Sequence, residues 1–99
     1  MKIDFQIESY DEFVGIMSDV NIVVMFCGEQ SNVITKQEAV NKKFDTNLEI
    51  SNKEICCKLI LCIMKKLNKQ TLSMEDLEQL NKREFYEECF QTNTNNQEI

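Results

Sequence analysis

The chain has 99 residues, of which 42% are hydrophobic, and this is enough sequence to bury the core of one domain. The 17 acidic residues outnumber the 11 basic ones, and the net charge of −6 disfavours non-specific DNA binding, which requires cationic side chains that displace counterions from phosphates. Histidine and proline are absent, which excludes histidine-based catalysis and histidine metal ligation within this chain.

The N-terminal residues predict a strand followed by a helix. In KIDFQIE (2–8) apolar and polar residues alternate, as is typical of a half-buried strand. SYDE (9–12) has the spacing of a capping box and predicts the start of a helix, in which Phe13, Val14 and Met17 share one apolar stripe.

The next segment, IVVMFC (22–27), is an unbroken apolar run. Its β-branched residues favour a buried strand, although an extension of the first helix as far as Gly28 has the same periodicity. Residues 28–34 read as a loop.

Two further capping boxes predict the helices of the middle region. TKQE (35–38) predicts a short helix that turns Ala39, Val40 and Phe44 inwards. SNKE (51–54), with a hydrophobic staple formed by the isoleucines at positions 50 and 55, predicts a long helix over about 52–68.

The C-terminal third predicts a helical region after a turn at TLS (71–73), either continuous or divided into two short helices that meet near Asn81. Ser73 caps its start, Asn81 would cap the second helix, and the inward or partner-facing residues of this region are Phe85, Tyr86, Cys89 and Phe90. Residues 92–99 are polar without an apolar period, which predicts a disordered tail. The expected fold is therefore a helix-dominated α+β domain over 1–91, with short N-terminal strands packed on about four helices around the central helix near 52–68.

The stretch ISNKEICCKLILCIMKKLNK (50–69) contains three of the five cysteines. Its longest apolar run, 59–64, lies between lysines and is far shorter than the roughly 20 residues of a membrane span. The cysteine spacing does not match paired zinc ligands, and a thiol of low pKa is the less favoured alternative to a buried one. We expect these cysteines in the core, with no metal or cofactor.

The odd number of cysteines and the charged start of the chain, MKIDFQIE, predict reduced thiols and a cytoplasmic location.

SYDEFVGIMSDVNIVVMFCGEQSN (9–32) resembles the opening of a thioredoxin-like domain, in which a helix leads into a V-V-x-F strand. The resemblance implies a redox Cys-x-x-Cys at the end of that strand and a later cis-proline. Cys27 is followed by Gly28, Glu29 and Gln30, and the chain has no proline, so redox activity is not expected.

Charge is distributed unevenly along the chain. Residues 1–35 carry six acids and one lysine, 36–70 carry eight lysines and four acids, and 71–99 carry seven acids and two bases. Opposite charges meeting inside one fold would account for this pattern, and acidic ends presented to a basic partner are the alternative.

In its size, acidity and composition the chain resembles small phage-encoded accessory proteins, among them anti-CRISPR inhibitors. That resemblance implies carboxylates that occupy the cationic groove of a nucleic-acid-binding enzyme. The candidate partner-binding residues are Asp4, Glu8, Asp11, Glu12 and Asp19 near the N-terminus, and Glu75, Asp76, Glu78, Glu84, Glu87 and Glu88 near the C-terminus.

The function that these patterns favour is a non-catalytic acidic protein that binds or inhibits a larger, basic macromolecule. An enzyme is disfavoured because there is no histidine and no glycine-rich phosphate loop. One alternative is a nucleic-acid-binding regulator that uses the lysines of the middle region, namely Lys36, Lys42, Lys43, Lys53 and Lys58. Self-association through an exposed aromatic cluster is another.

Overall fold

The computed structural model describes residues 7–27, 33–42 and 53–91. Most of the predicted N-terminal strand, Asp4, Lys43, Phe44, the start of the SNKE box and the predicted tail lie outside these residues.

Helices make up most of the described chain. They are α1 (Tyr10–Phe26), α2 (Lys36–Asn41), α3 (Lys53–Leu67), α4 (Met74–Gln79) and α5 (Lys82–Tyr86), and α5 continues into a π-helical turn (Glu87–Gln91). Two strands, β1 (Val33–Thr35) and β2 (Thr71–Ser73), form an antiparallel pair. The predicted helix-dominated α+β class is confirmed.

Helix α1 begins at the predicted cap. The Glu12 amide donates to the Ser9 hydroxyl at 3.1 Å, whereas the Glu12 carboxylate accepts from the amide of Glu8, one residue before the cap, at 3.1 Å. The helix thus starts where predicted, but the Glu12 carboxylate bonds the amide of Glu8 in place of the amide of Ser9.

Of the two structures that the sequence allowed for 22–27, the extended helix is formed and the favoured strand is not, because α1 continues to Phe26. Val20, Val23, Val24 and Cys27 are buried at the spacing of a helix face, and the Cys27 amide donates to the Val23 carbonyl at 2.8 Å. The helix-then-strand order that resembles thioredoxin is therefore not formed.

Both strands of the sheet lie where the sequence predicted a loop and a turn. Ile34 pairs with Leu72 across the sheet, and both side chains are fully buried. The last residue of each strand caps the next helix in a complete capping box. The box consists of Thr35 and Glu38 at α2, and of Ser73 and Asp76 at α4. The sheet is thus made of two similar strand–cap–helix units that pair antiparallel.

Helix α3 is the central helix, as predicted, and it packs against α1 on one side and α2 on another. Its buried residues are Cys56, Cys57, Leu59, Ile60, Ile63 and Met64. Two residues predicted to face inwards do not: Val40 is 52% exposed and Val14 is 38% exposed. On the six-residue α2, Ala39 faces the core, and Val40 lies about 100° further round the helix.

Candidate functional site

The carboxylates of α1 lie on the side of the helix that faces away from the core. Asp11, Glu12 and Asp19 occupy this side together with Gly15, and Glu8 directly precedes the cap residue Ser9. A Cβ added at Gly15 would meet nothing within 4 Å, so the strip between these carboxylates is open. Asp19 is half-buried and the other three are exposed.

The carboxylates of α4, α5 and the π-helical turn divide into two groups. Glu75, Glu78 and Glu84 are exposed and form no ion pair with another described residue. Glu87 contacts Arg83 at 3.5 Å, and Glu88 contacts Lys66 of α3 at 2.6 Å.

Asp76, also a predicted partner-binding residue, is engaged inside the molecule. Its carboxylate accepts from the amide and hydroxyl of Ser73 at 3.0 and 3.1 Å and from the Lys69 ammonium at 2.5 Å. Burial alone would raise the pKa of Asp76, but these hydrogen bonds and the ammonium outweigh it and lower that pKa below its ordinary value. Asp76 therefore stabilises the β2–α4 junction and has little charge to offer a partner.

An aromatic cluster joins the start of α1 to α5. The ring of Phe13 lies 6.0 Å from that of Phe85 and 5.2 Å from that of Tyr86, and the rings of Tyr10 and Tyr86 are 5.3 Å apart. The guanidinium carbon of Arg83 lies 4.4 Å above the Tyr10 ring. The cluster holds the acidic start of α1 against α5, which carries Glu84 together with Lys82 and Arg83, and the buried Phe85 and Tyr86 belong to the core.

The positive charge is concentrated on the other elements. Residues 7–27 carry four acids and no base, whereas 53–73 carry five lysines and one glutamate. Lys66–Glu88 and Lys69–Asp76 are ion pairs between the end of the central helix and the acidic C-terminal region. Opposite charges thus meet at these two pairs, which we call the seam, whereas α1 and α4 carry acids and no basic residue of their own.

Helix α3 has the wrong exposure for a DNA-reading helix. Only Lys53, Glu54 and Lys65 are exposed along it, and its other residues are buried or half-buried where α1, α2 and β2 pack against it. Lys42 contacts Glu54 at 3.9 Å. A recognition helix needs a continuous exposed face to enter the major groove, and α3 does not present one.

The five cysteines lie in or beside the core and form no disulfide. Cys27, Cys56, Cys57 and Cys89 are buried, and Cys62 is half-buried. Burial raises the pKa of the Cys56 and Cys89 thiols to about 12, and it raises those of Cys57 and Cys62 as well. A thiol with a raised pKa is a poor nucleophile at neutral pH, so these cysteines behave as small apolar side chains.

No three metal-ligand side chains in 7–27, 33–42 and 53–91 lie close enough together to hold an ion. Within the same ranges, none of the helices combines the length and the hydropathy needed to span a bilayer.

No protein-family model matches the chain, and neither a curated protein nor a solved structure matches it. Any functional conclusion therefore depends on the geometry of the molecule itself.

Proposed function

We propose that the chain is a non-catalytic binding protein that engages a basic surface of a larger macromolecule through the acidic surface formed by α1, α4 and α5. The observation that carries the proposal is a set of exposed carboxylates with no ion pair among the described residues: Glu8, Asp11, Glu12, Glu75, Glu78 and Glu84.

The geometry favours a preorganised surface over a set of mobile charges. Except for Glu8, the side chains project from helices whose starts are fixed by capping hydrogen bonds, at Ser9 for α1, Ser73 for α4 and Asn81 for α5. A rigid array loses less entropy on binding than a flexible acidic tail does.

A cationic groove that holds nucleic acid is one surface that such an array would fit. Carboxylates would there replace phosphates, as in the phage-encoded inhibitors, including anti-CRISPR proteins, that the sequence resembles. Such association is steered by long-range attraction and weakens as salt screens the charges.

Affinity capture with a matched pair of charge reversals tests this proposal. Glu75→Lys changes the acidic surface, and Glu54→Lys is its control because both glutamates are exposed and lie in the first turn of a helix. Both substitutions change the net charge equally and remove a similar interaction with a helix dipole, and Glu54→Lys also removes the exposed 3.9 Å contact with Lys42.

We expect the wild-type chain to retain a partner at about 50 mM salt and to lose most of it at about 500 mM. With the purified partner, Glu75→Lys should weaken binding by about fivefold, a usual effect of one rim charge, and Glu54→Lys should leave the affinity unchanged. Equal losses for the two variants, or no partner retained at low salt, would refute the proposal.

A further inference from the structure

A groove lies between α2 and the C-terminal end of α3, on the basic side of the molecule. Its volume is about 450 Å³, and its lining includes Lys36, Val40, Leu61, Met64, Lys65 and Gln70. A second depression of about 530 Å³ shares Lys36, Val40 and Gln70 and extends over β1 and β2. We refer to the first as the α2–α3 groove.

The groove combines an apolar floor with a cationic rim. Val40 is the most exposed large apolar side chain of the described residues, and half-buried Leu61 lies beside it in the lining. Lys36 and Lys65 are exposed and form no ion pair with another described residue, whereas Lys69 is paired. None of the described lining residues is acidic.

Hydrogen bonds to the main chain fix the walls of the groove. The Lys36 amide donates to the Gln70 carbonyl at 2.9 Å, which joins the start of α2 to the residue before β2. At the end of α3, the amides of Asn68 and Lys69 donate back to the Lys65 and Met64 carbonyls at 3.1 and 2.9 Å, with Asn68 at a φ of 58°. The groove is therefore formed before any ligand binds.

We propose that the α2–α3 groove binds an acidic segment of a partner protein, with one apolar side chain against Val40 and Leu61 and flanking carboxylates on Lys36 and Lys65. Charge complementarity identifies the occupant, because a cationic rim on a protein of net charge −6 is a local feature that attracts anions. An apolar floor suits a peptide side chain and offers nothing to a phosphate backbone. This proposal is independent of the acidic surface, which lies on other elements.

A model peptide, Glu-Glu-Leu-Glu-Glu with a fluorescent label, is the probe. In the control peptides lysine replaces each glutamate, or serine replaces the leucine. Titration of the isotope-labelled full chain, followed by amide chemical shifts, reports weak binding and its location at the same time.

We expect the shifts to concentrate at Lys36, Val40, Leu61, Lys65 and Gln70, and both control peptides to leave them unchanged. Lys36→Glu and Lys65→Glu should each weaken peptide binding by about fivefold or more. Lys82→Glu is the matched control, because it changes the net charge equally from α5 and should have no effect.

Three results would overturn the proposal. One is the absence of shifts at millimolar peptide, and another is an equal effect of Lys82→Glu and the groove variants. The third is that the amide shifts of the groove residues change with protein concentration in the absence of peptide, while light scattering detects a dimer. The groove would then hold another copy of this chain.

Discussion

Replacement of Phe13 by leucine tests whether the aromatic cluster holds α1 to α5. Phe13 is 0% exposed, and its ring contacts those of Phe85, Tyr86 and Tyr10. Leucine keeps the site apolar but removes all three ring contacts and leaves part of the space empty.

The expected loss follows from these contacts. An aromatic pair contributes roughly 0.5–1.5 kcal/mol beyond its buried area, and leucine recovers part of the packing energy. We therefore expect the free energy of unfolding to fall by about 2 kcal/mol, a large part of the roughly 5–15 kcal/mol that stabilises a small domain. For a chain of this length the corresponding fall in Tm is about 8–16 °C.

Urea denaturation followed by circular dichroism measures the change, with thermal unfolding as a second assay. Phe26→Leu is the matched control because it makes the same chemical change on the same helix, where Phe26 is 45% exposed. Its effect should stay within about 0.5 kcal/mol. If the two variants lose similar stability, the packing of α1 against α5 is not as described.

Further predictions concern the central helix, one cap and the thiols. Ile60→Lys should reduce stability by several kcal/mol because Ile60 is fully buried, whereas Val40→Lys should change it by less than about 0.5 kcal/mol, both measured by urea denaturation. Asp76→Asn should cost about 1–2 kcal/mol at pH 7. Because the folded pKa of Asp76 is lowered, its contribution is present above about pH 4 and disappears as pH falls further, so wild type and variant should converge in acid denaturation curves. Labelling with a thiol reagent at neutral pH should modify half-buried Cys62 first and the buried thiols only on unfolding. A thiol in the unfolded chain ionises above pH 9.0, whereas Cys56 in the folded chain keeps its proton up to about pH 12. The free energy of unfolding should therefore fall by about 1.4 kcal/mol per pH unit over that range because of this thiol. In urea denaturation at successive pH values, Cys56→Ala should show a smaller decrease with pH.

Helix starts could be predicted from the sequence because a cap is a local interaction. In four helices the side chain of the cap residue accepts a hydrogen bond from the amide three residues later, and the cap residues are Ser9, Thr35, Ser73 and Asn81. This spacing can be recognised without knowledge of the fold. The long apolar α3 could be predicted for a similar reason, because a helix that is apolar on nearly every side has to be surrounded.

The two strands could not be predicted because they depend on contacts distant in sequence. Each has three residues, too few to produce an alternating pattern, and Ile34 becomes a strand residue only by pairing with Leu72. The secondary structure of 22–27 could not be decided from the sequence for a related reason. β-Branched residues fit a strand or a buried helix, and the packing of α1 against α3 decides between them.

The α2–α3 groove left no signal in the sequence. Val40 and Lys36 lie on α2, and Leu61 and Lys65 lie one turn apart on α3, so the groove exists only when the two helices pack. That most of the described carboxylates are exposed could be expected from the sequence, because unpaired acidic side chains are rarely buried. The use of Asp76 within the β2–α4 junction, by contrast, required the position of Lys69.

The acidic surface and the α2–α3 groove carry opposite charges, and at physiological salt each should influence only a partner bound close to it. The seam formed by Lys66–Glu88 and Lys69–Asp76 neutralises opposite charges where the elements meet. The Debye length at physiological salt is about 8 Å, so a charge further than this from a bound partner contributes little. A partner at the α2–α3 groove is therefore affected mainly by Lys36 and Lys65, and one at the acidic surface mainly by its carboxylates. It follows that a charge reversal on one surface should leave binding at the other unchanged at physiological salt, and that any coupling between them should grow as salt is removed.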